Sequence, residues 1–215
     1  MKLALIPTLI LTLADGSADR CVPTGVVRIE TVDASPDLPQ GSFARKPKVL
    51  YRSGRLYARI EEAADSENGI HGLIVVSAPD SWMVNLADNS GQHVIDKDPE
   101  PGVRAPVFPP QSQPADFPKE FLDLDLGCEL AFFGRLHAEQ SPHQVGAVAL
   151  TKHVLTRGIW RLTLVTGPTD GTPQALLLSK AGKVSFVLKY VSYTQRSDVD
   201  PSLFQKPTGI RFEDQ

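Results

Sequence analysis

The sequence predicts a mainly β (α+β) fold in which antiparallel strands are covered by helix, and three observations carry that reading. Short runs of β-branched and aromatic residues alternate with polar ones along most of the chain. Turn residues, Gly, Asn, Asp and Pro, separate these runs at hairpin spacing. One central apolar stretch, Phe117 to Leu136, instead repeats every three to four residues.

At the start of the chain, Met1-Lys2, the apolar run Leu3 to Ala14 and the small residues Gly16-Ser17-Ala18 have the order of a secretory signal peptide. Pro7 and the single Lys2 fit that pattern less well, and a buried N-terminal element is the competing reading. The expected organisation is a signal peptide over 1–18 and one β domain over 19–215, interrupted by a Pro-rich excursion at about 99–118. No later apolar run has the length to span a bilayer, so the mature chain is expected to be soluble, not membrane-spanning, and periplasmic or extracellular.

Val22 to Val32 is β-branched and partly alternating, as a strand with one wet face requires. Lys48 to Arg52 and Arg55 to Glu61 flank Ser53-Gly54 and read as a hairpin, with Leu56, Ala58 and Ile60 on its dry side. Leu73 to Ser77, Ser81 to Leu86 and Gln92 to Asp96 continue as a meander. Between Pro99 and Pro118 the prolines, each without a backbone donor, exclude helix and central strand.

Asp116-Phe117-Pro118 suits a helix start. Phe117, Phe121, Leu124, Cys128, Phe132 and Leu136 form one apolar row of that helix, with Gly127 and Gly134 as points where it splits or stops. Glu139 to Gln144 reads as a polar loop. Strands follow over Val145 to Leu155, Ile159 to Val165, Gln174 to Leu178 and Lys183 to Tyr193. No βαβ alternation argues for a parallel sheet, and no internal repeat is visible.

Composition narrows the function classes. With 215 residues, 41% of them hydrophobic and 22% charged, the chain has material for one sizeable core. A formal charge of -3 with scattered Lys and Arg gives no basis for nucleic-acid binding, which needs clustered cations. Cys21 and Cys128 are the only cysteines, and an oxidising compartment lets a bridge between them persist. Two free buried thiols are the alternative, as is lipid attachment at Cys21, against which the charges of Asp19-Arg20 count.

No constellation advertises catalysis, a metal or a cofactor. The five histidines include no H-E-x-x-H order, and solvated loop residues outweigh a set assembled from His137, His143 and Cys128. Asp96 to Gly102 resembles a calcium loop only superficially, since its glycine falls one place late and Val107 stands where the closing Glu belongs. There is no G-x-S-x-G elbow and no Gly-rich phosphate loop. Glu61-Glu62 and Asp198/Asp200 read as solvated carboxylates. The large apolar residues are more telling. Trp82, Phe121, Phe132, Phe133 and Trp160 are either ordinary core or the lining of a pocket between sheet and cover.

Trp160 to Leu164, Tyr190 to Tyr193, and the run Asp198 to Gly209 with its Phe204 and Pro207-Thr208-Gly209 turn resemble the ending of LolA-like outer-membrane lipoprotein-sorting proteins. Tyr51 to Tyr57 and Trp82 to Leu86 resemble the early hairpin of that group. The resemblance implies a strongly curved antiparallel sheet, or half-open β-barrel, covered by helices. It also implies an interior that holds lipid or lipoprotein acyl chains in the periplasm, and it transfers no catalytic residue. The expected function is thus a non-catalytic binding or carrier protein for an apolar ligand, without cofactor. The alternative is an envelope structural protein that pairs with a protein partner through its sheet edge.

Overall fold

Side-chain alternation sets the architecture from the first strand. In β1 (Val26–Asp33), Val27 and Ile29 are buried on one face while Arg28 and Glu30 sit on the other. The computed structural model describes residues 21–198 and 200–214; the segment expected to be a signal peptide lies outside them.

Among the described residues eleven further strands follow: β2 (Lys48–Ser53), β3 (Tyr57–Glu62), β4 (Gly72–Ser77), β5 (Asp80–Asn85), β6 (Ser90–Ile95), β7 (Glu139–Val145), β8 (Val148–Arg157), β9 (Trp160–Thr166), β10 (Pro173–Lys180), β11 (Lys183–Arg196) and β12 (Arg211–Asp214). They form one sheet in the order β12-β6-β5-β4-β3-β2-β1-β11-β10-β9-β8-β7, with β12 and β7 as its two edges. Every pairing between neighbours is antiparallel except that of β12 with β6. Two meanders are joined through the β1–β11 pair, which brings Val26 opposite Arg196.

Residues between β6 and β7 cross one face of the sheet as its cover. The expected long helix is not formed. A 3-10 turn (Lys119–Asp123) and the seven-residue α1 (Glu129–Arg135) are separated by extended chain. Two causes are visible. Leu124 to Leu126 pairs with the Pro-rich excursion, where Val107 N–H donates to Leu124 O and Leu126 N–H to Ala105 O. Gly127 then takes a φ of +86°, which reverses the chain at little steric cost because it has no Cβ. The apolar spacing therefore reports a buried cover rather than a continuous helix.

The main core lies between cover and sheet. Phe108, Phe117, Phe121, Leu124, Leu126, Phe132 and Phe133 of the cover meet Val27, Ile29, Leu50, Ile60, Val76, Leu162, Leu164 and Leu176 of the strands. A smaller cluster of Leu73, Val75, Trp82 and Val84 forms on the opposite face, against Ile210 just before the short β12 and Phe212 within it. Residues 139–144, expected as a polar loop, belong to β7 instead. That edge strand buries neither face, so no alternation marks it.

Candidate functional site

A pocket of about 440 Å³ opens where three pieces of chain meet: Cys21–Thr24 before β1, residues 127–131 at the start of α1, and residues 170–173 entering β10. Tyr193 and Gln195 near the end of β11 complete its wall. The floor is made by buried Pro23, Cys128, Glu129 and Pro173, and the rim by exposed Val22, Leu130, Ala131 and Asp170. The Cys21–Cys128 disulfide is formed, with Cα atoms 5.8 Å apart, and ties the lead-in to β1 to the cover across 107 residues of sequence. Covalent closure of so long a loop holds the pocket's two walls together.

Behind the floor lies a polar cluster inside the core. Arg52 is only 2% exposed, and its Nη1 donates to Leu126 O at 3.1 Å. Its Nη2 reaches Val103 O and Cys21 O, each at 3.4 Å, and lies 3.6 Å from Asp125 Oδ2. Arg104 holds the same carboxylate from the other side, with Nη2 at 3.2 Å from Asp125 Oδ1. One guanidinium thus pins the lead-in, the excursion and the cover to β2. Burial lowers the Arg52 pKa, while the carboxylates of Asp125 and Glu129 oppose that shift.

Glu129, a pocket-lining residue only 1% exposed, turns its carboxyl group inward to Gly127 and Tyr190. Both its oxygens accept from Gly127 N–H at 3.1 Å, and Oε1 also accepts from the Tyr190 hydroxyl at 2.8 Å. Desolvation pushes its pKa up against these hydrogen bonds and against Arg52. The phenols of Tyr190 and Tyr193 are raised by burial and by the facing Glu129, so both stay protonated donors. A phenol held protonated is a hydrogen-bond donor and no nucleophile at neutral pH.

The structure separates the residues expected to line a ligand site. Phe121, Phe132, Phe133 and Trp160 come together in the main core. Phe117 links the ring of Trp160, at 5.2 Å between centroids, to that of Phe121 at 6.0 Å, and Phe132 packs on Phe133 at 5.7 Å. None of the four lines the pocket. Trp82 is removed from them altogether, stacked on His93 on the opposite face of the sheet. Metal ligation by Cys128, one of the readings its sequence context leaves open, is excluded by its bond to Cys21.

Reading along the chain does not single out Arg52, Asp125, Glu129, Tyr190 or Tyr193. Arg52 carries a signal, because it shares the parity of Leu50 and so belongs on the dry face of β2. Tyr190 and Tyr193 carry none. They are three residues apart, and both face the core only because the β1–β11 register slips between Glu30 and Thr31.

No family model matches the chain, and no curated protein matches it. Among solved structures, it is similar to an uncharacterized conserved protein from Thermus thermophilus, with 11% identity, a TM-score of 0.49, and 89% of this chain and 91% of that one covered. Two crystal forms of PNGF-II align at 11% identity with TM-scores of 0.33 and 0.34. The alignment takes in 88% and 89% of this chain but only 31% and 32% of PNGF-II, so the chain spans about a third of that protein.

Proposed function

We propose that the protein is an exported, non-catalytic binding module for an apolar ligand of the lipid or acyl-chain class, in which the sheet bends as a half-open barrel around its cover. The observation that supports this reading is the pocket at the disulfide-bonded end of the cover. Its volume of about 440 Å³ lies in the range of small-molecule sites. Pro23, Leu130, Ala131 and Pro173 give it apolar wall, and Tyr193 and Gln195 give it polar groups to fix one end of a ligand. At the end of the sheet where β9 gives way to the 170–173 segment, the β7–β8 hairpin runs past the end of β9 and carries Val145 and Val148, 56% and 58% exposed, at its tip. Exposed apolar side chains at a hairpin tip suit contact with a lipid surface.

Extraction of natively purified protein followed by mass spectrometry is expected to find lipid. The neutral probe N-phenyl-1-naphthylamine is expected to brighten on binding, and Ala131→Trp, which fills the pocket from its rim, is expected to abolish the signal. Absence of both co-purifying lipid and probe binding in the wild-type protein overturns the reading.

A second reading, an envelope interaction protein, draws on the edge strand β7, whose outer side is unpaired among the described residues and whose residues are exposed apart from half-buried His143. Crosslinking in cells that captures one partner through β7, with no lipid bound, would favour it.

A further inference from the structure

The polar groups around the pocket differ in what they have left to offer a ligand. The Asp170 carboxylate accepts from Thr172 N–H at 3.0 Å and from the Thr172 hydroxyl at 2.7 Å, closing its own turn at the rim. Gln195 donates through Nε2 to Thr24 O and to Thr24 Oγ1. Glu129 is turned inward, to Gly127 N–H and the Tyr190 hydroxyl. No Lys, Arg or His stands among the described lining residues.

Tyr193 differs from all of these. It lies opposite Ile29 in the β1–β11 pair, on the face that the cover packs against, and its half-buried ring rests on the main core. The Tyr190 hydroxyl three residues earlier is spent on Glu129, whereas the Tyr193 hydroxyl has no hydrogen-bond partner among the described residues. Nor is it one of the polar atoms sealed inside the protein without a partner, so it remains open at the pocket wall. Such a group bonds to water until a ligand brings an acceptor to it. Its surroundings also disfavour negative charge: burial first, then the Glu129 carboxylate, push the phenol up to about 13, with Arg52 opposing. A ligand carboxylate beside it meets the same conditions.

We infer that Tyr193 is the specificity-determining residue of the pocket, and that it selects a lipid with an uncharged, ester-class head whose carbonyl oxygen accepts from the Tyr193 hydroxyl. The alkyl chain lies against Pro23, Leu130 and Pro173. An ester brings acceptors and no donor, so a lone neutral donor satisfies it. A free fatty-acid carboxylate would meet one donor and no cation, and an ammonium would bring donors to a donor. This rests on the binding reading above and sharpens it to a ligand class and an anchoring residue.

The test is displacement of N-phenyl-1-naphthylamine at pH 7 by methyl octanoate, octanoate and octylamine, each below its solubility or micelle-forming limit. Methyl octanoate is expected to displace the probe at about tenfold lower concentration than either charged ligand. Tyr193→Phe removes one hydroxyl and keeps the ring on the core. It is expected to raise the methyl octanoate concentration needed about fivefold while leaving the affinity of the probe, which needs no donor, unchanged. A merely structural role for Tyr193 would weaken probe and ester together, and that result, or an ester that responds to Tyr193→Phe no more than the probe does, overturns the assignment. Circular dichroism checks that the variant is folded. Should it fail to fold, the wild-type comparison still decides, because octanoate or octylamine acting as well as the ester rules out an uncharged-head preference. Equal displacement by all three leaves the binding reading standing and removes the selectivity; a probe that never binds removes both.

Discussion

Glu62 shows how one residue records a conflict between strand pattern and chemistry. Parity places it on the dry face of β3 with Ala58 and Ile60, and both its carboxyl oxygens are buried without a hydrogen-bond partner. Lys48 Nζ is 3.9 Å away, and Gly72 on the adjacent strand leaves the space that a Cβ would take from Oε2. Burial raises its pKa, with Lys48 opposing. A carboxyl raised in the folded state favours folding below its unfolded value near 4.5 and loses that contribution as pH climbs through the folded value. Glu62→Gln should therefore gain stability over the wild type near neutral pH, by about 1 kcal/mol, and gain nothing near pH 4. Urea melts at the two pH values check it, and an equal gain at both would reject the ionisation as its cause. The pH slope should not vanish in the variant, because Glu129 is shifted in the same direction.

Among the elements, the cover is the informative piece. It has little regular structure of its own, and Phe121, Leu124 and Leu126 are at most 1% exposed, so its order comes from packing on the sheet and from its fastenings. Those fastenings are the Arg52 cluster and the disulfide. Cys21→Ser with Cys128→Ser should cost about 2–5 kcal/mol, measured by denaturant unfolding, because the denatured chain regains the freedom of a long loop. The reduced wild type should fall to the same midpoint. A midpoint unchanged by either would mean that the Arg52 contacts alone fix the cover. If the pocket binds as proposed, probe affinity should drop along with stability, since Cys21 and Cys128 are both part of its wall.

Across the molecule, a twelve-stranded sheet that is not closed leaves two edges to be kept from pairing with other chains. The two are managed differently. β12 is only four residues long, whereas β7 carries Pro142 at its centre, which removes one donor from the edge. Pro142→Val should leave the fold intact and raise concentration-dependent association, read by light scattering or sedimentation. If the variant stays as monodisperse as the wild type, Pro142 does not guard this edge.

The information legible along the chain is local. Period-two alternation locates strands such as β1, β2 and β3, in which one face is dry and the other wet, whereas β4 reads as an apolar run because both its faces are covered, and the turn residues between strands set antiparallel neighbours. Where a strand buries nothing, as in β7, or is only four residues long, as in β12, that signal is missing. In the cover, helical spacing marks burial correctly and conformation incorrectly, since contacts with the excursion and the turn at Gly127 outweigh a weak local preference. Which side chains meet is settled by three-dimensional packing alone. That packing puts Trp82 on the opposite face from Phe121 and Trp160, and gathers Arg52, Asp125, Glu129 and Tyr190 from separate parts of the chain, whereas the Cys21–Cys128 bridge is the pairing that two cysteines allow. Burial, register shifts and charge pairing act between distant residues, and no periodicity along the chain encodes them.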